Sequence, residues 1–410
     1  MRLRFRPGAR FRAILGPDAA GVRQSLVALG LNSTTSLAAG AFLGSITGTF
    51  ERFPGLLVLV PAAIGLRGNI FGTFGSRIST TIHSGTFRLS TRRDTVLGQN
   101  VLAAAILTLA MSLLLAITSK AIAVALGIAD TISLVDLAII SIVGGALGSV
   151  VVMAATLGLT AGAVRYGWDL DDVNAPLVST LGDVLTLPAL FVGTFCVGIA
   201  IFTPALAVVL VVASVAATVL GLRSKLEQLR RIVKESLPIL AVAGAISAMA
   251  GILLEKRFAA FSTYPALLVL VPAQLSSAGA LGGILSGRLS SKIHLGVVIP
   301  QPVPTRAARS DMFYAYLLAI PVFAFNGLGA HFVGRALGQA SPGLAPMVVA
   351  SMAGGLVAML FVVALAYYGT ILAVRGGVDP DTYGIPVVSS SVDFIGAFTL
   401  ILAIVTLGIS

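Results

Sequence analysis

Two aspartates stand at equivalent places in this chain, each inside a long apolar run. Asp183 closes the pattern Asp169-x-Asp-x-x-x-x-Pro176-x-Val-Ser-x-x-x-Asp183, and Asp393 closes Asp379-x-Asp-x-x-x-x-Pro386-x-Val-Ser-x-x-x-Asp393. A carboxylate is costly in lipid, so each must face protein, water or a cation. Proline suits a first helical turn. Helices beginning near Pro176 and Pro386 therefore place each carboxylate roughly 10 Å along the axis. Arranged about a two-fold axis, both would point into one passage and repel each other, and a divalent cation there relieves the repulsion. The plainer alternative is that each Asp bonds a neighbouring helix end.

Other polar residues recur in matched pairs. Glu51 and Glu255 close the first apolar run of each half, where they either attract cations at an outer mouth or pair weakly with Arg52 and Lys256. Asp169, Asp171, Asp172, Asp379 and Asp381 form either an acidic vestibule or a solvated loop with helix-capping carboxylates. Asn69, after Gly68, offers an amide oxygen. His83 and His294 lack the clustered Cys or His of a metal site. Arg77 and Arg288 are expected to snorkel towards the inner surface. No nucleophile elbow, phosphate-binding Gly-Lys-Ser loop or zinc-protease helix occurs, so an enzyme is not expected, nor any cofactor.

The elements that hold these residues must be membrane helices. Of 410 residues 57% are hydrophobic and only 10% charged, with a mean hydropathy of +1.01. A soluble domain carries about 25% charged residues. Apolar runs long enough to cross a bilayer lie near 24–50, 54–82, 97–119, 133–164, 176–200, 203–222, 237–258, 265–293, 312–338, 344–374 and 384–409. Thr203-Pro204 marks a turn in the long run from Pro176 to Leu222. The single cysteine, Cys196, excludes an intramolecular disulfide.

The net charge of +11 is collected in short segments between apolar runs, which suits lipid headgroups and topology rather than nucleic acid. With a cytoplasmic N-terminus, 19 Lys and Arg fall on the inner side, 5 on the outer side, and Arg67, Arg77 and Arg288 within spans. The orientation follows, with the C-terminus outside.

The chain also repeats itself. Pro54–Gly85 and Pro265–Gly296 match at 15 of 32 positions when offset by 211, which marks an internal duplication. Residues 141–145 recur at 351–355, and Ala39-Gly-Ala41 is matched to Ala243-Gly-Ala245. Pro61 and Pro272 should break or kink their helices and free carbonyls. The organisation is a basic tail (1–23), a first five-helix repeat (24–200), a linker helix with a basic linker (201–236), and a second repeat (237–410). Five crossings would invert the second repeat, and the additional helix restores its direction. The expected fold is an all-α integral membrane protein of about 11 spans, with two parallel five-helix repeats about a pseudo-two-fold axis along the membrane normal, unlike an inverted repeat.

The run Pro-x-Leu-Leu-x-Leu-x-Pro with Gly68-Asn69, and Pro176-x-x-Ser-Thr-x-x-Asp183, resemble the membrane domain of the MgtE magnesium transporters. The doubled form resembles solute carrier family 41 and its prokaryotic relatives. The resemblance covers about 24–200 and 237–409. It implies transport of Mg²⁺ or another divalent cation through a pore between two five-helix units, with Asp183 and Asp393 at the pore. In MgtE two chains supply those units, whereas here one chain would. The second copy reads Gly279-Ala280, so it lacks the Asn. About 23 residues precede the first span, so gating by a soluble Mg²⁺ sensor is not carried over.

The expected metal-contacting residues are Asp183, Asp393, Asn69, Glu51 and Glu255, with the lipid bilayer as surroundings and the divalent cation as cargo. A proton-coupled transporter of another small solute, using the Asp pair as a relay, and a membrane scaffold subunit are the alternatives.

Overall fold

In lipid, backbone amides have no water to bond, so an apolar run satisfies its own N–H and C=O groups by forming a helix. The computed structural model describes residues 19–83, 85, 87–128, 131–166, 170–376 and 385–409. Its regular elements are helices throughout. The first half contains α1 (Ala19–Ser45), the short α2 (Thr47–Arg52), α3 (Leu56–His83), α4 (Val96–Ala125), α5 (Leu134–Tyr166) and α6 (Leu170–Thr194). After α7 (Phe202–Leu222) the pattern returns as α8 (Glu227–Glu255), the short α9 (Phe258–Thr263), α10 (Ala266–His294), α11 (Arg306–Ala336), α12 (Leu344–Gly376) and α13 (Ile385–Thr406). Among the described residues ten helices are long and apolar enough to span a membrane, and Thr180–Thr194 is a shorter apolar segment within α6. The protein is an all-α, multi-pass integral membrane protein.

Glycines let backbones approach where the hydrophobic effect offers no drive between helices. A Cβ on Gly40 of α1 would stand 2.1 Å from the carbonyl oxygen of Val269 on α10, and one on Gly251 of α8 would stand 2.2 Å from that of Val58 on α3. Gly40 and Gly251 are equivalent, as are Val58 and Val269, all at the offset of 211. The first helix of each half thus lies against the second helix of the other half. The matching of residues 39–41 to 243–245 is thereby corrected. The contacts pair Gly40 with Gly251, seven residues out of step with that match.

Within each half the closing helices pack the same way twice. Gly144 admits the Leu190 backbone and Gly354 that of Leu400, with added Cβ atoms 2.8 and 2.9 Å from the leucine Cα. Ser141 Oγ donates to the Ser112 carbonyl at 2.6 Å, and Ser351 Oγ to the Phe323 carbonyl at 2.7 Å. These pairs account for the recurrence of 141–145 at 351–355. α7 has no counterpart, and its Val208, Val209 and Val212 are exposed as lipid-facing side chains would be.

Four local expectations change. Helices α3 and α10 run unbroken through Pro61 and Pro272. Each proline sits within the first two turns, so few intrahelical bonds precede it to be lost. α6 starts at Leu170, six residues before Pro176, so Asp171 and Asp172 belong to a helix rather than a loop. The basic linker after Arg223 is largely the opening of α8, fastened by Leu229 N donating to Gln99 Oε1 at 3.1 Å. The turn before α7 falls at residues 195–201, closed by Thr203 Oγ1, which accepts from Ile199 N and donates to the Cys196 carbonyl. Asp169, Asp379 and Asp381 lie outside the described residues, as do the side chains of Asp171, Asp172, His83 and His294.

The exchange contacts make a direct prediction. Gly40→Ala and Gly251→Ala should each destabilise the protein by about 1–3 kcal/mol through overpacking, seen as a lower circular-dichroism melting temperature in detergent. Gly30→Ala, whose added methyl meets nothing within 4 Å, should leave melting unchanged or raise it.

Candidate cation site

The first helix of each half, while packed on the other half, brings a hydroxyl to the intramembrane aspartate of its own half. Ser36 Oγ on α1 donates to Asp183 Oδ2 at 3.4 Å, and Ser247 Oγ on α8 donates to Asp393 Oδ2 at 3.3 Å. Ser36 and Ser247 are equivalent at the offset of 211 and lie one helical turn before Gly40 and Gly251. Each packing glycine therefore sets the position of a serine that bonds a carboxylate. The two carboxylates, one from each half, lie within electrostatic reach of each other.

Each aspartate also meets the second helix of the opposite half, and here the halves differ. Ser276 Oγ on α10 lies 3.2 Å from Asp183 Oδ2 and 3.1 Å from Asn32 Oδ1, so one proton serves two acceptors. The residue equivalent to Ser276 is Gly65, whose absent Cβ would stand 3.3 Å from Asp393 Oδ2. Asp183 is buried in an oxygen-rich cluster, whereas Asp393 is half-buried and has a single serine hydrogen bond. Next door, Ser33 Oγ and Ser277 Oγ stand 3.1 Å apart, and Asn326 Nδ2 donates to Ser277 at 2.9 Å. This polar seam extends the Asp183 side only.

Gly182 lets α6 lie on α3 directly beside Asp183; a Cβ there would sit 3.9 Å from Gly68 N. Asn69, the next residue, is buried on α3. Its carbonyl accepts from Thr73 Oγ1 at 2.8 Å. No hydrogen bond joins its amide to either aspartate among the described residues. The structure thus places Asn69 beside the helix of Asp183 without bringing it onto the carboxylate.

Glu51 and Glu255 stand apart from the pair. Glu255 Oε1 accepts from Gly55 N at 2.8 Å, so a carboxylate of the second half caps α3 of the first. Gly55 has φ +89°, a conformation that glycine adopts without strain. Glu255 lies eight residues beyond Ser247 on α8, roughly 12 Å along the axis. The exposed Glu51 instead accepts through Oε1 from Ser262 Oγ at 2.8 Å. Among the described residues neither glutamate forms a salt bridge with Arg52 or Lys256.

Ser36, Ser247, Ser276 and Asn32 escaped the sequence reasoning. Ser36 and Ser247 carried a signal, since they recur at the same offset as the Pro-flanked stretch. Ser276 carried none, because its counterpart is glycine.

Arg77 and Arg288, expected to snorkel, bond across to neighbouring helices. Arg77 Nε donates to Asn100 Oδ1 at 2.9 Å, and Arg288 Nε to Asp311 Oδ1 at 3.2 Å. Asn100 and Asp311 are equivalent, so one architecture carries a neutral acceptor in one half and a charged one in the other. Lys292 Nζ joins Asp311 Oδ2 at 2.7 Å, and the Arg288 guanidinium carbon lies 4.2 Å from the Tyr314 ring centroid. Asp311→Asn should keep an acceptor for Arg288, as Asn100 does for Arg77. Asp311→Leu removes the acceptor that Arg288 and Lys292 share and should cost about 1–3 kcal/mol, read as a larger drop in melting temperature than for the Asn variant.

Comparison with known proteins reproduces the duplication. The family model MgtE, described as a divalent cation transporter, matches residues 60–193 and again 271–403. Solute carrier family 41 member 3 of Mus musculus is 22% identical over 382 residues, covering 86% of this chain and 75% of the mouse protein. The Rattus norvegicus protein of the same name is 22% identical over 393 residues, covering 88% and 82%. No solved structure matches.

Proposed function

The chain belongs to the MgtE family of divalent cation transporters, and from that premise we propose that it carries Mg²⁺ past Asp183 and Asp393. The observation that supports this most is that each half places one intramembrane carboxylate under a serine hydroxyl, with the two carboxylates within electrostatic reach of each other. Two like charges in a low-dielectric site repel strongly, and a divalent cation between them turns the repulsion into attraction.

Among the described residues no three His, Cys, Asp or Glu side chains gather, so a cation here has at most two charged ligands. That suits Mg²⁺, which dehydrates reluctantly and keeps several waters while binding through one or two carboxylates. The waters of the hydrated ion would donate to Asp183 Oδ2, Asp393 Oδ2 and Asn32 Oδ1, and the serine hydroxyls would turn to accept. The polar cluster around Asp183 makes it the tighter of the two stations and Asp393 the looser. Asn69 on α3 lies close enough to the Asp183 helix to contact the hydration shell. Glu51 and Glu255 act as attractors at the outer mouth, Glu255 through its field alone, since Oε1 is taken by Gly55 N and Oε2 is buried.

In this reading residues 24–200 and 237–410 are the two five-helix units, and one chain supplies the pore that MgtE forms from two. The N-terminus is cytoplasmic and the C-terminus outside. The protein is a transporter and catalyses no reaction.

The test is Mg²⁺ influx into liposomes carrying an internal Mg²⁺ indicator. Asp183→Asn and Asp393→Asn should each reduce the flux, and the double variant should abolish at least ~90% of it, a loss that corresponds to more than about 1.4 kcal/mol of differential stabilisation. Glu235→Gln, which removes a surface ion pair with Arg231, is the control and should leave flux intact. Undiminished flux in a folded double variant defeats the proposal. Solute uptake driven by a pH gradient without divalent flux would identify a proton-coupled carrier instead, and absence of either a scaffold.

The asymmetry gives a second expectation. Ser36→Ala with Ser276→Ala should raise the Mg²⁺ concentration for half-maximal flux about tenfold, from the loss of roughly 1.4 kcal/mol of hydrogen bonding to charge. Ser247→Ala should raise it less.

A further inference from the structure

Beyond the groups that touch Asp183, three polar side chains meet where α1, α10 and α11 join. Ser33 Oγ on α1 and Ser277 Oγ on α10 stand 3.1 Å apart. Asn326 Nδ2 on α11 donates to Ser277 Oγ at 2.9 Å and to the Ala273 carbonyl at 3.1 Å. All three side chains are fully buried. Reversing the Asn326 amide would set its oxygen against the Ala273 carbonyl, so its orientation is fixed. Its Oδ1 is then buried with no hydrogen-bond partner among the described residues, which costs stability.

This junction adjoins the cation site residue for residue. Ser276 and Ser277 are consecutive on α10, as Asn32 and Ser33 are on α1, and they pair in step. Ser276 bonds Asn32 at 3.1 Å, and Ser277 bonds Ser33 at 3.1 Å. Consecutive residues point about 100° apart around a helix, so two clasps in step fix both the rotation and the slide of α1 on α10. One clasp meets Asp183 through Ser276, and the other meets Asn326 through Ser277. α11 is itself seated on α1, where a Cβ on Gly329, three residues after Asn326, would stand 2.3 Å from Leu37 Cδ1.

The pseudo-symmetric junction, of α8, α3 and α4, is built without these polar groups. At the offset of 211, Ser33, Ser277 and Asn326 correspond to Gly244, Leu66 and Leu115, and a Cβ on Gly244 would meet Leu115 Cδ1 at 2.8 Å. Other buried polar groups on the second helices serve a different contact. Arg67 Nη2 on α3 donates to the Gly144 carbonyl on α5 at 2.6 Å, while its Nε and Nη1 have no partner among the described residues. Gln274 Nε2 on α10 donates to the Ser351 carbonyl on α12 at 3.0 Å. Those bonds tie a second helix to the fourth helix of its own half, whereas Asn326 acts on the contact between α1 and α10. On the Asp393 side Gly65 and Ala243 stand where Ser276 and Asn32 stand on the Asp183 side. The polar junction and the polar surroundings of Asp183 therefore occur together, and both are replaced together.

We propose that Asn326 is a positioning residue for transport. Through Ser277 and Ser33 it holds α1 in register on α10, and so keeps Ser276 and Asn32 at Asp183. The proposal rests on the reading of Asp183 as a cation station. Ser276 has one proton and two acceptors, Asp183 Oδ2 and Asn32 Oδ1. A small slide of either helix takes that proton from the carboxylate or turns the Asn32 oxygen away from a hydrated cation, and hydrogen bonds weaken steeply with misalignment. Loss of the Asn326 link thus loosens the ion at Asp183 and leaves the apolar junction on the Asp393 side as it was.

The experiment is the Mg²⁺ concentration dependence of influx into liposomes carrying the full chain, normalised to folded protein. Asn326→Leu should raise the Mg²⁺ concentration for half-maximal flux about five- to tenfold, with maximal flux unchanged. Ser277→Ala, a milder change that breaks the same link, should raise it likewise, and decides the matter if Asn326→Leu does not fold. In a background of Asn32→Ala with Ser276→Ala, either change should add less than about twofold, because the groups being positioned are gone. An unchanged half-maximal concentration, a loss confined to maximal flux, or full additivity in that background overturns the proposal and leaves the reading of Asp183 standing. Undiminished flux in Asp183→Asn overturns both.

Discussion

The structure depends on two backbone contacts, Gly40 against the Val269 carbonyl and Gly251 against the Val58 carbonyl. In lipid, burying apolar surface between helices gains little, because the tails are as apolar as leucine. Close approach and dispersion must replace it, and those fall off within an ångström of added bulk. Two glycines at equivalent positions therefore decide which helix lies on which. They give each half's first helix to the other half's second, so neither half is complete by itself.

That exchange also builds the site. Ser36 and Ser247 lie a turn from the glycines, so the helices cannot seat without delivering a hydroxyl to Asp183 and Asp393. The helix on the other side of Asp183 comes from the second half and supplies Ser276. Site and interface are one object, and a helix shift that loosened the glycine contact would move the carboxylate ligands with it.

Duplication leaves two copies free to diverge once both sit in one chain. The changes are local and chemically directed. Ser276 faces Gly65, Asn100 faces Asp311, and Asn326 faces Leu115. The glycines and Ser141/Ser351, which set backbone distances, have not changed. Packing positions stayed symmetric because both halves need the same interhelical distances, whereas polar groups inside the helices could differ without altering the fold.

Much was legible from the chain alone. Length and hydropathy of the apolar runs dictate membrane helices, since no other open backbone survives in lipid. A fixed offset of 211 reveals the duplication, and two matched carboxylates within apolar runs mark where charge must be accommodated. The facing of helices was not legible. In a soluble helix a polar face tells which side is outward, but helices apolar all round carry no such stripe, so pairing rests on contacts between different helices. For that reason the Ser276 bond to Asp183, the Glu255 cap on Gly55, the acceptors of Arg77 and Arg288, and the unpaired donors of Arg67 were decided only by the tertiary structure. The two aspartates were named by sequence; what stands around each of them was settled by which helices the glycines allowed to touch.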